Sequence, residues 1–385
     1  MRLSERGGEA SQSEIRAISM AINNSGPNAI NLAQGICDTE TPAVVLKGAT
    51  DAINSGQNIY TRFDGIQQLR EAIAMKEKRD YDVELNPDTE IVVTNGASGA
   101  FYGAILALLN PGDEVLLFEP FYSYHVTQLA SNGVKSNFLR LTEPTWEFTD
   151  EQLEAAITPK TRAILINTPG NPSGKVFTHD ELMRIGNVCE KHDLIIFSDE
   201  IYEYFVYEGK HVSPIAIPSL RPRTVVIGGF SKTFSVTGWR IGYCLAPPEA
   251  AAAIGRLNDL VYVCAPAPLQ VGVAQGIANL PLSHYDDLMK DHLEKRDLIC
   301  ASLTKAGLTP TVCKGAYYLL CDVSKIEGAT SKDKALKLLE LTGIGGVPGS
   351  AFFHDNSGDH LIRLCFAKEK HVIEECCRRF EALNL

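Results

Sequence analysis

Thr224-Val225-Val226-Ile227-Gly228-Gly229-Phe230-Ser231-Lys232-Thr233-Phe234 sets a single lysine shortly after an unbroken apolar run. A run of this kind reads as a strand buried in a parallel sheet, and the carboxyl ends of such strands open into the crevice where α/β proteins bind ligands. An amine held there loses hydration, its neutral form is favoured, and it becomes a nucleophile toward a carbonyl carbon. Thr237-Gly238-Trp239-Arg240 then supplies a permanent cation suited to a phosphate. A lone Ser-Lys pair is more commonly a solvated loop, so the flanking sequence has to decide.

Upstream of the lysine the pattern repeats. Ile91 to Thr94 reads as a strand, followed by Asn95-Gly96-Ala97-Ser98-Gly99 and an apolar helix through Leu109. Small residues feeding a helix N-terminus expose backbone N–H groups to an anion, so 96–99 is a candidate phosphate cup. Glu114 to Phe118 is the next strand and runs into Pro120-Phe121-Tyr122; a helix over Ser123 to Asn132 and a strand over Lys135 to Leu139 follow. The strand Ala163 to Ile166 enters Asn167-Thr168-Pro169-Gly170-Asn171-Pro172-Ser173-Gly174, where two prolines and two glycines exclude regular structure and predict a rigid holder. After a helix over His179 to Lys191, the strand Leu194 to Tyr202 carries a carboxylate, Asp199, and three residues later a phenol. Strands alternating with helices predict βαβ units, an α/β fold and a mostly parallel sheet of the seven-stranded type.

Outside this region the texture changes. An amphipathic helix over Ser11 to Asn23 and the stretch Ile30 to Gly35 form an N-terminal arm; a helix opens at Thr41-Pro42, and Tyr60 to Gly65 is a polar loop before a helix over Ile66 to Lys78. Helices fill Pro248 to Leu280 and Tyr285 to Ala306. A strand Ala316 to Asp322, a helix Lys332 to Thr342, a glycine loop Gly343 to Gly349, a strand His360 to Cys365 and a helix Lys370 to Leu383 read as a smaller α+β unit. The expected division is 1–40 as arm and part of the small domain, 41–284 as large domain, and 285–385 as small domain.

A net charge of −11 argues against nucleic acid and anionic membranes as partners, since both demand clustered cations. No apolar run approaches a membrane span and the first ten residues are polar, which predicts a cytoplasmic protein. The ten cysteines form no Cys-x-x-Cys pair and read as reduced, mostly buried thiols. Gly96-x-x-Gly99-x-x-x-Gly103 imitates a dinucleotide fingerprint with the wrong spacing, and His354-Asp355 with Asp359-His360 reads more simply as a loop than as a metal site.

The strand ends together offer an amine, a carboxylate, hydrogen-bond donors, an aromatic face and an anion cup, the set that pyridoxal 5'-phosphate requires. Asn171-Pro172-Ser173-Gly174, Ser198-Asp199-Glu200-Ile201-Tyr202, Ser231-Lys232-Thr233-Phe234-Ser235-Val236-Thr237-Gly238-Trp239-Arg240, Tyr60 with Gly65 and Leu69-Arg70, and Ile362-Arg363-Leu364 occur in that combination. On these motifs the chain resembles the class I/II aminotransferases, the fold type I pyridoxal-phosphate enzymes. The resemblance implies that Lys232 links to the cofactor and acts as acid and base, and that Asp199 pairs with its ring nitrogen. It implies Asn171 and Tyr202 on the phenolic oxygen, Tyr122 stacked on the ring beside Phe121, and Arg240, Ala97 and Ser98 on the phosphate. Many relatives carry Ser or Thr where Gly229 stands, and Ser231 or a backbone amide is the expected substitute. Arg363 would clamp the substrate carboxylate with Asn171 and the Gly35 amide, and Tyr60 would reach the neighbouring subunit's phosphate in a homodimer. The expected reaction passes an amino group from an L-amino acid to a 2-oxo acid such as 2-oxoglutarate. Ser98 stands where one aspartate-specific branch has lysine, which favours neutral or aromatic substrates, against which Arg62 or an arm residue could still reach the side-chain pocket. A carbon-sulfur β-lyase is the nearest alternative, followed by an NAD-dependent oxidoreductase or a non-catalytic regulator on the same scaffold.

Overall fold

The computed structural model describes residues 14–383, so the expected helix start at residues 11–13 lies outside the described residues. In chain order the strands are β1 Ile30–Asn31, β2 Ile91–Asn95, β3 Glu114–Glu119, β4 Lys135–Arg140, β5 Thr161–Asn167, β6 Ile195–Asp199, β7 Thr224–Gly229 and β8 Ile241–Leu245. There follow β9 Thr309–Pro310, β10 Tyr318–Asp322, β11 Ile344–Gly345, β12 Val347–Pro348 and β13 Leu361–Cys365. The central sheet has seven strands in the order β2-β8-β7-β6-β5-β3-β4. The block from β7 through β6, β5 and β3 to β4 is parallel, and β8 runs antiparallel to both β7 and β2. This is the expected α/β architecture with a mostly parallel sheet.

Both faces of the sheet are covered, as its near-continuous apolar strands require. Leu116, Ile164, Ile166 and Ile196 pack on one side with Leu182 and Ile185 of the helix His179–Lys191. Their neighbours Val115, Leu117, Leu165, Phe197 and Val225 pack on the other side with Phe101 and Ile105 of the helix Gly96–Leu108. The strand period of two thus sends alternate residues into two cores.

Strand β8 was not legible as a strand, because its run of Ile241 to Leu245 looks like the tail of the lysine segment. Its direction follows from its connection: residues 230–240 are too few for a parallel crossover, so the chain returns antiparallel. Gly229 therefore lies opposite Gly242, and Asn95 opposite Ile241. The return brings Lys232, Arg240 and the 96–98 turn to one edge of the sheet.

A second sheet, antiparallel throughout, has the order β12-β13-β10-β9, and β1 of the arm pairs in parallel with β11. A shared core joins Leu32 of the arm, Tyr202 and Phe205 after β6, and Tyr317, Leu338, Ile373 and Phe380 of the C-terminal part. The division expected at 284/285 falls within the first turn of the helix Leu282–Lys305.

Several expectations are corrected. The strand predicted through Tyr202 ends at Asp199, and 200–205 is a turn tied by Glu203 N–H to the Glu200 carbonyl and Phe205 N–H to the Tyr202 carbonyl. The helices expected over 248–280 are Pro248–Tyr262 and Ala267–Asn279, separated before Pro266, which cannot donate within a helix. The glycine loop 343–349 contains β11 and β12, and Asp150–Ala155 is a short helix closed by a Thr149/Gln152 capping box. All ten cysteines are free and eight are buried. No helix among the described residues is long and apolar enough to cross a membrane.

Candidate active site

A cavity of about 430 Å³ opens along the carboxyl ends of β2, β3, β5, β6 and β7. Ala97, Ser98, Tyr122, Asn171, Asp199, Tyr202, Ser231, Lys232 and Arg240 line it from the large sheet, Gly35 from the arm and Arg363 from β13. Tyr60, like Arg62 and Phe121, does not border it, and the residue is 81% exposed on the surface of the chain.

Lys232 Nζ donates to the Gly35 carbonyl at 2.8 Å, and the Tyr317 hydroxyl donates to the same oxygen at 3.1 Å. Burial holds the Lys232 amine below the usual lysine range, outweighing the opposite pull of the Cys37 and Cys365 thiols. That is the direction a nucleophilic amine and proton carrier needs.

Asp199 ends β6 with its carboxylate inside the cavity wall. Oδ2 lies 2.8 Å from His125 Nε2, Oδ1 accepts the Ile201 N–H at 3.2 Å, and its carbonyl accepts Asn167 Nδ2 at 3.1 Å. Sequence reading missed His125. The available signal was weak: on the helix Ser123–Ser131, His125 and Leu129 share the one buried face, so a histidine occupies a core position there. Tyr122 borders the cavity with its ring edge-on to His125, centroids 5.2 Å apart, and stacked on Tyr124 at 5.3 Å. Phe121 turns away and stacks on Phe138.

At the other end, Arg240 approaches the N-terminus of the helix Gly96–Leu108. A Cβ on Gly96 would lie 2.5 Å from Arg240 Nη2, and Gly96 has φ +72°, so a side chain here would strain the backbone and displace the guanidinium. A guanidinium and a helix N-terminus meeting in a cavity wall form an anion site. The glycine at 229 also has a physical reason: a Cβ there would meet Ile201 Cδ1 at 3.0 Å and Gly242 Cα at 3.2 Å, so a hydroxyl residue would be crowded. Ser231 is buried and lines the cavity instead.

Arg363 is 1% exposed. Its Nη1 donates to Asn171 Oδ1 at 2.9 Å, Nη2 donates to the Ala33 carbonyl, and Nε has no hydrogen-bond partner among the described residues. Tyr318 and Phe352 cover the guanidinium, their ring centroids 4.3 and 5.0 Å from Cζ. A buried arginine with an unpaired N–H is costly unless a ligand completes it, and a carboxylate matches the planar fork. Tyr318 was not singled out in the sequence; its hydroxyl lies 3.1 Å from that of Tyr202. Arg62 does not border the cavity, because Asp64 and Asp88 hold it.

A lysine at a strand end, a histidine-backed carboxylate, an anion cup and a carboxylate clamp on one α/β crevice define a group-transfer site. The family model "Aminotransferase class I and II" matches residues 27–380. Methionine aminotransferase of Escherichia coli is 33% identical over 356 residues, covering 92% of each chain, and kynurenine--oxoglutarate transaminase 3 of Rattus norvegicus is 32% identical, covering 93% of this chain and 86% of its own. Among solved structures, the Escherichia coli methionine aminotransferase superposes with TM-score 0.94 at 30% identity over 100% of both chains. Thermus thermophilus aspartate aminotransferase with maleate superposes with TM-score 0.92 at 29% identity over 99% of both. The chain belongs to the class I and II aminotransferase family and has its fold type I architecture. It is an aminotransferase, moving amino groups between amino acids and 2-oxo acids.

Proposed function

We propose that this aminotransferase holds pyridoxal 5'-phosphate in the 430 Å³ cavity and works on L-amino acids with uncharged, especially aromatic, side chains. The observation that carries the reading is the convergence on that cavity of one half-buried amine, Lys232, one carboxylate backed by a histidine, Asp199, and one guanidinium with an unpaired N–H, Arg363. These groups fit the cofactor and its substrate together. Gly96 to Ser98 and Arg240, with Ser231, would hold the phosphate, Tyr122 would cover the ring, and Asn171 and Tyr202 would donate to the phenolic oxygen. Asp199 would accept the ring N–H. When bound, the cofactor supplies an electron sink for charge developing at the substrate α-carbon.

Lys232 has two duties in this reading. It would hold the resting cofactor through its amine, and once a substrate amine has taken that place its neutral Nζ would remove the α-proton and hold it for delivery to the cofactor's side of the bond rather than back to the α-carbon. Arg363 and Asn171, with the Gly35 amide, hold the substrate carboxylate and so fix which α-bond lies toward Lys232. A second substrate, 2-oxoglutarate or another 2-oxo acid, takes the amino group in the reverse half-reaction.

The side-chain preference rests on Ser98, on Arg62 being tied to Asp64 and Asp88, and on the stacked Tyr122 and Tyr124 as an apolar wall. The names of the methionine and kynurenine relatives point the same way. With 2-oxoglutarate as acceptor, kcat/KM for phenylalanine and methionine should exceed that for aspartate by about tenfold or more; equal turnover contradicts the preference. We further propose a homodimer in which Tyr60 reaches the partner's cofactor phosphate, a functional division into 1–40, 41–284 and 285–385, and a place in cytoplasmic amino-acid metabolism and biosynthesis. Exposed Ile59, Tyr60, Leu260 and Val261 support the dimer.

A further inference from the structure

The turn 200–205 that follows Asp199 and carries Tyr202 holds two acids, Glu200 and Glu203, and neither borders the cavity. Glu200 pairs with His211 Nε2 at 2.8 Å and accepts the Ser213 hydroxyl at 2.8 Å. Glu203 accepts the Tyr81 hydroxyl at 2.6 Å and the Tyr243 hydroxyl at 3.4 Å, and forms an ion pair with Lys76. Lys76 also donates to Glu77 at 2.8 Å and to the Tyr243 hydroxyl at 3.3 Å. The pair is deeply buried, with Lys76 and Glu203 side chains 1% and 4% exposed.

A buried ion pair adds little net stability, because losing water offsets most of the attraction, but its geometry is directional. Here the direction matters. Lys76 and Tyr81 belong to the helix Gln67–Tyr81 and Tyr243 to β8, so three donors from two fixed elements converge on one carboxylate of a short turn. That turn holds Asp199 through the Ile201 N–H and positions the Tyr202 phenol beside Tyr318. We propose that Lys76 is a positioning residue for amino transfer: through Glu203 it fixes the turn that presents Asp199 and Tyr202 to the cofactor. The proposal rests on the pyridoxal-phosphate reading above.

The test combines Lys76→Met with Glu203→Gln, which removes both charges of the pair and leaves Glu77, the other partner of Lys76, to be controlled by Glu77→Gln, and adds Tyr81→Phe, which loosens Glu203 while keeping the pair. Enzyme loaded with pyridoxal phosphate is titrated for the pH midpoint of its visible absorption and assayed for kcat and KM. The double variant should move the midpoint by about half a unit or more. It should lower kcat about tenfold, with KM for the amino donor within about twofold of wild type. Tyr81→Phe should move both in the same direction by less, and Glu77→Gln should leave both unchanged. A double variant that folds, binds cofactor and keeps the wild-type midpoint and kcat overturns the proposal; if the double variant does not fold, an unchanged Tyr81→Phe does so. Wild-type protein that develops no visible absorption with added cofactor overturns the cofactor reading and this proposal together, and is told apart because the variants are then not at issue.

Discussion

At the scale of single residues, the site separates bond making from holding. Among the described residues Lys232 is the one amine on the cavity, burial depresses its pKa, and in the proposed reading its replacement would remove both the cofactor link and the proton carrier. Lys232→Ala should therefore lose at least about 10⁴-fold in kcat under steady-state assay while still binding free cofactor through Arg240 and the 96–98 turn. In the proposed reading Arg363 would hold the substrate carboxylate without reacting. Its planar fork cannot be copied by an ammonium, so Arg363→Lys should raise KM for the amino donor by about tenfold or more with a smaller change in kcat. The lysine, the carboxylate and both arginines were legible in the sequence because each sits in a run of distinctive neighbours. His125 and Tyr318 were not, since a core histidine and a strand tyrosine look like packing until the fold sets one against Asp199 and the other against Arg363.

At the scale of elements, the strand ends and their turns were read more surely than the strand directions. Apolar runs between turn residues predicted β2, β3, β5 and β7 closely, because both faces of the sheet are buried there, whereas β4 is a partly exposed edge strand and β6 was drawn past its end. Strand β8 and the short β11 and β12 lack such borders. The antiparallel return of β8 is nevertheless what places Arg240 against Gly96. Gly96→Ala would force a side chain into φ +72° and into the Arg240 guanidinium. It should weaken cofactor binding by about tenfold, measured by equilibrium dialysis, and cost about 1–3 kcal/mol of stability by denaturant titration. An alanine variant with wild-type cofactor affinity would contradict the cup.

At the scale of the whole molecule, the buried acids behind the site affect stability. Burial, with the Glu203 and Glu200 charges, pushes the Glu77 carboxyl up from 4.5 to about 7 against the pull of Lys76. The folded chain then holds a proton that the unfolded chain releases. This contribution is fully present below the unfolded value and is lost as pH rises toward 7. Melting temperature should fall across that window by about 2 °C or more, and Glu77→Gln should flatten the fall. Assembly belongs to the same scale. If Tyr60 serves the partner's phosphate, Tyr60→Phe should weaken cofactor binding severalfold, and dilution below the dimer dissociation constant should release cofactor; a monomer by sedimentation that keeps full activity would contradict the shared site.

The central claim is that Lys232 carries pyridoxal 5'-phosphate at the end of β7. Its most direct test is the visible spectrum of the purified protein before and after borohydride, with peptide mapping and a Lys232→Ala variant alongside. The account predicts a visible band that borohydride bleaches while fixing the cofactor to the peptide containing Lys232, and no fixed cofactor in the variant. Cofactor fixed to another lysine, or equal labelling of the variant, would contradict it.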